Sequence, residues 1–141
     1  KNNLVMKNIL ICGGSGFIGS NFIIYYLDHN PDSVIINLDA LTYAGNTDNV
    51  KEVANHPRYR FIQGNICDRA LIERLFYKYD IKDIIHLAAE SHVDNSIARP
   101  DAFMQTNIMG TFNLLDVAKN YWMDSPGIYK EQYQNSRFHH D

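Results

Sequence analysis

Apolar residues in this chain alternate between short unbroken runs and segments in which they recur every third or fourth position. Asn8–Cys12 (NILIC) is the first run, and its length and its stop at glycines predict a buried strand rather than a helix. From Phe17 onward, Ile18, Phe22, Tyr25 and Tyr26 fall at the spacing that lines one side of a helix, and Pro31 closes the segment. Val34–Leu38 (VIINL) predicts a second strand, and Tyr59–Ile62 a third that ends at Gln63-Gly64. Asp68 is placed to cap a helix with a stripe of Leu71, Ile72, Leu75, Phe76 and Tyr79. Asp83–Leu87 (DIIHL) predicts a fourth strand. Pro100 suits a first helical position, and Met104, Ile108, Phe112 and Leu115 carry a helical face to about Tyr121. Met123–Gln134 is polar and rich in turn residues, and Arg137–His140 reads as the start of a fifth strand.

Strands that are nearly uniformly apolar and alternate with helices imply a parallel sheet covered on both faces, joined by right-handed crossovers. The expected class is therefore α/β, a Rossmann-type doubly wound parallel sheet with helices on both faces, cut off after the fourth strand or the start of the fifth. The length of 141 residues allows one such domain and not two ordinary ones.

Composition narrows the partners. With 45% hydrophobic residues, 21% charged residues and a formal net charge of -3, the chain has no basic surplus for nucleic acid. It has no apolar run near the roughly 18 residues needed to cross a bilayer, and no secretion-signal pattern, so the cytoplasm is the expected location. Cys12 and Cys67 end apolar runs without metal-ligand spacing; both are expected to be buried thiols, and no metal site is expected.

The chemistry is concentrated in one turn. Gly13-Gly14-Ser15-Gly16-Phe17-Ile18-Gly19 follows the first strand directly and opens the first helix. Gly13 permits the sharp turn, Gly16 lets the backbone approach a pyrophosphate, and Gly19 lets the helix lie close on the sheet. The helix amino terminus adds N–H donors and positive potential. Asp39 ends the second strand 20 positions beyond Gly19, where its carboxylate can accept hydrogen bonds from both ribose hydroxyls of an adenosine. Ala40-Leu41-Thr42 offers no arginine to offset a 2′-phosphate, so the expected cofactor is NAD rather than NADP. His86, inside an apolar strand, reads as a satisfied core histidine, and His92 with Asp94 as loop structure rather than an acid–base pair.

The G-x-x-G-F-I-G wording resembles the extended short-chain dehydrogenase/reductase superfamily. Leu38–Asn46 (LDALTYAGN), Leu87–Ile97 (LAAESHVDNSI) and Thr106–Thr111 (TNIMGT) are similar to signatures of its dTDP-glucose 4,6-dehydratases, and Phe138-His139-His140 resembles the start of their fifth strand. The resemblance runs from Lys7 to His140. It implies that Phe17 and Ile18 meet the pyrophosphate, that Asp39, Ala40, Leu41 and Thr42 surround the adenosine ribose, and that Asn65 and Ile66 meet the adenine. It further implies that Leu87, Ala88, Ala89, Glu90 and Ser91 run toward the nicotinamide, with Ser91 also touching the sugar nucleotide and Thr106 completing the cofactor wall. Asn107 resembles an asparagine that braces a neighbouring strand or a proton relay, and a solvated helix asparagine is the alternative. Asn65 stands where the family usually has aspartate, and Ala40 and Asn95 where it has basic residues.

The implied reaction converts dTDP-glucose to its 4-keto-6-deoxy form: hydride leaves sugar C4 for NAD, water is lost across C5–C6, and hydride returns at C6. The family's base is a tyrosine four residues before a lysine, and a Thr-Asp-Glu element handles the elimination. Neither occurs here, so no catalytic residue is assigned within residues 1–141, and the region binding most of the substrate is expected to follow Asp141. The resemblance also implies a homodimer at full length. Two other readings stand beside it: an epimerase or dehydratase acting on UDP- or GDP-sugars, and a non-catalytic nucleotide-binding module.

Overall fold

The computed structural model describes residues 6–15, 17–40, 51–87 and 100–140, excluding the side chains of residues 17, 100–107 and 140. Elements follow in the order β1 (Lys7–Cys12), α1 (Phe17–His29), β2 (Ser33–Asp39), β3 (Tyr59–Gln63), α2 (Arg69–Tyr79), β4 (Asp83–His86), α3 (Pro100–Trp122), β5 (Met123–Ser125), β6 (Ile128–Tyr129) and β7 (Arg137–His140). Five strands form one sheet in the order β3-β2-β1-β4-β7, every neighbouring pair parallel. Strand order reverses at β1: β2 and β3 lie on one side of it, β4 and β7 on the other. In an open parallel sheet that reversal opens a crevice at the carboxyl ends of the strands.

The sheet is covered on both faces, as expected. Because strand side chains alternate, Ile9 and Ile11 point to one core with Ile23, Leu27, Ile35 and Tyr59, while Leu10 and Cys12 point to another with Ile72, Phe76, Leu114 and Trp122. The first core lies under α1 and the second under α2 and α3. Asp68 caps α2 as the sequence indicates, accepting the Leu71 amide at 3.2 Å.

Two helical faces differ from expectation. In α1 the buried positions are Gly19, Ser20, Ile23 and Leu27, whereas Ile18 and Tyr25 of the expected stripe are exposed. In α3 the buried positions are Gly110, Asn113, Leu114, Val117, Ala118 and Trp122, and the expected face points outward, with Ile108 62%, Phe112 55% and Leu115 47% exposed. Both helices carry apolar residues on two sides, so the 3.6-residue period finds the helix without saying which side meets the sheet. Small residues mark the packed sides: Gly19 lies against Gly13 and Gly14, and Gly110 against Ile66.

Cys12 is buried but Cys67 is exposed, correcting the expectation for the latter: it sits in the turn before the Asp68 cap, where the chain has left the core. Met123–Gln134 is more ordered than its composition indicates. It holds an antiparallel β5–β6 pair turning through Gly127 at φ 81°, then a 3-10 turn that buries Tyr133. The Tyr133 and Tyr121 hydroxyls both donate to Asp80, at 2.5 and 2.9 Å. Strands of two or three residues carry no readable alternation, which is why they were not visible in the sequence.

The β2–β3 side of the sheet is tied down by Arg58. Its guanidinium donates to the carbonyls of Leu27 (2.8 Å), Asn30 (2.9 Å) and Ser33 (2.8 Å), closing the exit of α1 onto the start of β2. Hydrogen bonds to a charged donor are worth about 1.5–3 kcal/mol when desolvated, and this group is only part-buried. Arg58→Met, which retains the apolar stem, is expected to lower unfolding free energy by about 2 kcal/mol in urea titration; a midpoint unchanged from the parent would refute the clamp.

Candidate functional site

The carboxyl ends of β1 to β4 line up at one edge of the sheet, with Cys12 in register with both Leu38 and His86, and Asp39 with Gln63. The turn leaving β1 rises at that edge. Gly13 has φ +83°, and a Cβ there would lie 3.0 Å from the Leu87 carbonyl oxygen, so glycine is required for conformation and for the approach to β4. A Cβ on Gly19 would lie 2.7 Å from the Gly13 carbonyl, which places the first helical turn directly against the loop. The Gly13 turn matches the sequence reading; Gly19 was expected to let the helix lie close on the sheet, and its close approach is to the Gly13–Gly14 loop. Gly14, to which sequence reasoning gave no role, is packed as tightly: a Cβ there would sit 2.5 Å from Asn37 Oδ1 and 2.6 Å from Ile23 Cδ1.

β2 grips this turn with two side chains from one face of the strand. The Asn37 Oδ1 accepts the Gly14 amide at 3.1 Å, and the Asp39 Oδ2 accepts the Ser15 amide at 2.9 Å. Residues two apart on a strand project to the same side, which is what allows them to take successive amides. The Asn37 Nδ2 donates to Ser15 Oγ at 3.2 Å and to the Tyr59 hydroxyl at 3.0 Å. Asn37 and Asp39 are 0% and 3% exposed. Burial raises the Tyr59 pKa, keeping its hydroxyl protonated. Burial, then the Asp39 carboxylate, also pushes the Cys12 thiol far above its ordinary range, so this cysteine is no nucleophile.

Around the turn the structure gathers Gly13, Gly19, Asp39 and Leu87, whose amide donates to the Cys12 carbonyl at 3.0 Å. Ile18 projects from the first turn of α1 and is 63% exposed, and Ala40 is half-buried just after β2. One strand further along, the Gly64 amide donates to the Asp39 carbonyl at 3.1 Å, which brings Asn65 and Ile66 to the same edge. Asn65 is exposed and its Oδ1 accepts the Cys67 amide at 2.8 Å. Ile66 lies over Gly110, and its carbonyl accepts from Asn113 Nδ2 at 3.1 Å, so α3 holds this loop in place. Gly16, Leu41, Thr42, Ala88, Ala89, Glu90, Ser91, His92, Asp94 and Asn95 lie outside the described residues, as do the side chains of Phe17, Thr106 and Asn107. His86 is buried, 3.5 Å from Thr111 Oγ1 and edge-on to Phe138, which is the core histidine the sequence indicates.

Sequence reasoning missed Asn37, Tyr59 and Asn113. Asn37 had left a signal: it is the one polar residue inside VIINL, where a strand buried on both faces should be apolar. The arrangement suits a dinucleotide. Gly13 and Gly19 put no side chain where the turn meets Leu87 and the first turn of α1, and an acidic strand end sits beside it. Among the described residues no cluster of His, Cys, Asp or Glu could hold a metal, and no helix is long and apolar enough to cross a membrane.

Comparison with known proteins bears on the same region. The profile of the GDP-mannose 4,6 dehydratase family matches residues 10–140. A dTDP-glucose 4,6-dehydratase from Neisseria meningitidis is 50% identical over 135 residues, which is 96% of this chain and 37% of that protein. A dTDP-glucose 4,6-dehydratase from Streptomyces venezuelae, solved with NAD bound, superposes with a TM-score of 0.72 at 44% identity, over 81% of this chain and 36% of that one. A UDP-glucose 4-epimerase from Thermotoga maritima, solved with UDP-glucose, superposes with a TM-score of 0.68 at 30% identity, over 86% of this chain and 35% of that one. The chain thus spans 37–39% of the length of the first curated relatives it matches.

Proposed function

The chain belongs to the GDP-mannose 4,6 dehydratase family, and on that premise we propose that the protein carrying it is an NAD-dependent dTDP-glucose 4,6-dehydratase, a hydro-lyase, whose NAD-binding Rossmann domain includes residues 1–141. The observation that carries this reading is the glycine turn gripped by β2, with Asp39 at the strand end. In this reading Gly13, Gly16, Phe17, Ile18 and Gly19 hold the pyrophosphate, and Asp39, Ala40, Leu41 and Thr42 hold the adenosine ribose. Asn65 and Ile66 hold the adenine. Leu87, Ala88, Ala89, Glu90, Ser91 and Thr106 run toward the nicotinamide, and Ser91 also meets the sugar nucleotide. Bound NAD supplies the hydride acceptor and donor of an internal redox cycle; the chain's own residues bind it, orient it and exclude water from it.

The choice of dTDP-glucose over a UDP- or GDP-sugar is supported by 50% identity to the Neisseria dehydratase, against 30% to the Thermotoga epimerase. Offered dTDP-glucose, UDP-glucose and GDP-mannose in parallel, the full-length protein is expected to act on dTDP-glucose with a kcat/KM at least a hundredfold above the other two. Preferential conversion of UDP-glucose to UDP-galactose would move the assignment to an epimerase.

The proposed location is the cytoplasm, and the proposed assembly is a homodimer through the outward face of α3. Ile108, Met109, Phe112 and Leu115 are each about half exposed or more on that face, a contiguous apolar strip of the kind that marks an interface. Phe112→Glu is expected to convert a dimer to a monomer in sedimentation velocity while leaving the thermal melt cooperative. A dimer that survives this substitution would rule out the strip as its interface.

A further inference from the structure

Asn37 is fully buried in the apolar run Val34–Leu38 of β2, and a leucine or valine there would avoid the desolvation of a carboxamide. Its hydrogen bonds show what that desolvation achieves. Oδ1 takes the Gly14 amide, and Nδ2 reaches Ser15 Oγ on the turn and the Tyr59 hydroxyl on the neighbouring strand. Two consecutive turn residues and one residue of β3 therefore share a single side chain. Gly14 has been emptied of any Cβ to let that carboxamide come close.

We infer that Asn37 is a positioning residue for the pyrophosphate-binding turn: it fixes Gly14 and Ser15 from below, through an anchor on Tyr59, so that the loop is already set before a ligand arrives. The inference rests on the NAD-binding reading above. Asp39 takes the Ser15 amide from the end of the strand, at the ribose position, while the Gly14 amide goes to Asn37. With Asn37 removed, the Gly14 amide loses this acceptor, and Gly14 is less firmly fixed between the Gly13 amide held by Leu38 and the Ser15 amide held by Asp39. Pre-organisation lowers the entropy that binding must overcome, so the loss falls on ligands that use the turn. Contacts to the adenosine half are untouched.

The test uses the full-length protein and two variants, Asn37→Ala and Tyr59→Phe. Competition titrations give affinities for NAD, ADP and adenosine, and hydrogen exchange by mass spectrometry follows residues 13–15 and 34–36. In Asn37→Ala, NAD and ADP are expected to bind at least tenfold more weakly and adenosine within twofold of the parent. Exchange over residues 13–15 should accelerate at least tenfold while residues 34–36 stay protected. Tyr59→Phe, which removes only the far anchor, should weaken NAD two- to fivefold with the same local signature, and it decides the matter if Asn37→Ala does not fold. Unchanged NAD affinity and unchanged exchange at the turn, or equal losses for NAD and adenosine, would overturn the assignment. A parent protein that binds no NAD would instead remove the cofactor reading, and this inference with it.

Discussion

Supplied with NAD and dTDP-glucose, the full-length protein carrying this chain is expected to form the 4-keto-6-deoxy sugar nucleotide, whereas the 141-residue segment is expected to form none above background. The segment offers a cradle without an acid–base pair. None of its tyrosines is followed four positions later by lysine; Tyr121 is followed there by Ser125 and Tyr129 by Tyr133. Among the described residues, three ionisable groups near the strand ends already have structural roles. The Cys12 thiol is held protonated by burial, His86 is packed among core side chains, and Asp39 holds the turn. Positioned acid–base groups contribute roughly 10²–10⁴-fold each, and groups that act as a unit are lost together, so the deficit should exceed roughly 10⁴-fold. The alkaline absorbance of the 4-keto product reads both proteins in one assay, and NAD titration of the segment separates missing chemistry from missing binding. Turnover by the segment would place the base among residues 1–141 and require a different acid–base group, with His92 and Asp94 the first to examine. NAD binding without turnover is the expected outcome.

The parts of this architecture that were legible in the sequence are those set by local chemistry. Gly13 turns at positive φ, Asp68 caps, and NILIC followed by glycines reads as a buried strand that ends in a tight turn. What was not legible depends on partners distant in sequence. The stripe of Ile108, Phe112 and Leu115 and the stripe of Leu114, Val117 and Trp122 are both apolar, and the second is the packed one because it meets Ile72 and Phe76 of α2, with Gly110 under Ile66. Tyr133 reads as a polar-loop tyrosine until Asp80, 53 positions away, is seen to accept its hydroxyl. Asn37 belongs to the same class. It appears as a flaw in the hydrophobic pattern, and its meaning lies 23 positions upstream at Gly14. Such breaks in an otherwise consistent pattern mark places where a site has overruled the core.

The cofactor preference can be tested where the sequence and the geometry meet, at Asp39. A ligand bearing a 2′-phosphate at the end of β2 would face a carboxylate that is 3% exposed, with Ala40 following it and no basic side chain in the sequence through Thr42. The wild type is therefore expected to bind NAD at least about a hundredfold more tightly than NADP, the equivalent of two charge-assisted hydrogen bonds at about 1.5 kcal/mol each, less the offset from solvent and salt at the site rim. Asp39→Ala is an ambiguous probe, because Asp39 Oδ2 also accepts the Ser15 amide and its loss loosens the turn for both cofactors. Asp39→Asn separates the two roles: it keeps an acceptor for Ser15 and removes the charge. The NAD-to-NADP ratio should then fall below about tenfold, mainly through recovered NADP binding, while Asp39→Ala should weaken NAD by a further tenfold without restoring NADP as fully. Titrating both cofactors against the three proteins gives six affinities, and equal affinities in the wild type would remove Asp39 from the ribose altogether. If the ratio instead survives Asp39→Asn, discrimination does not come from the Asp39 charge and must be sought in other residues around the ribose position.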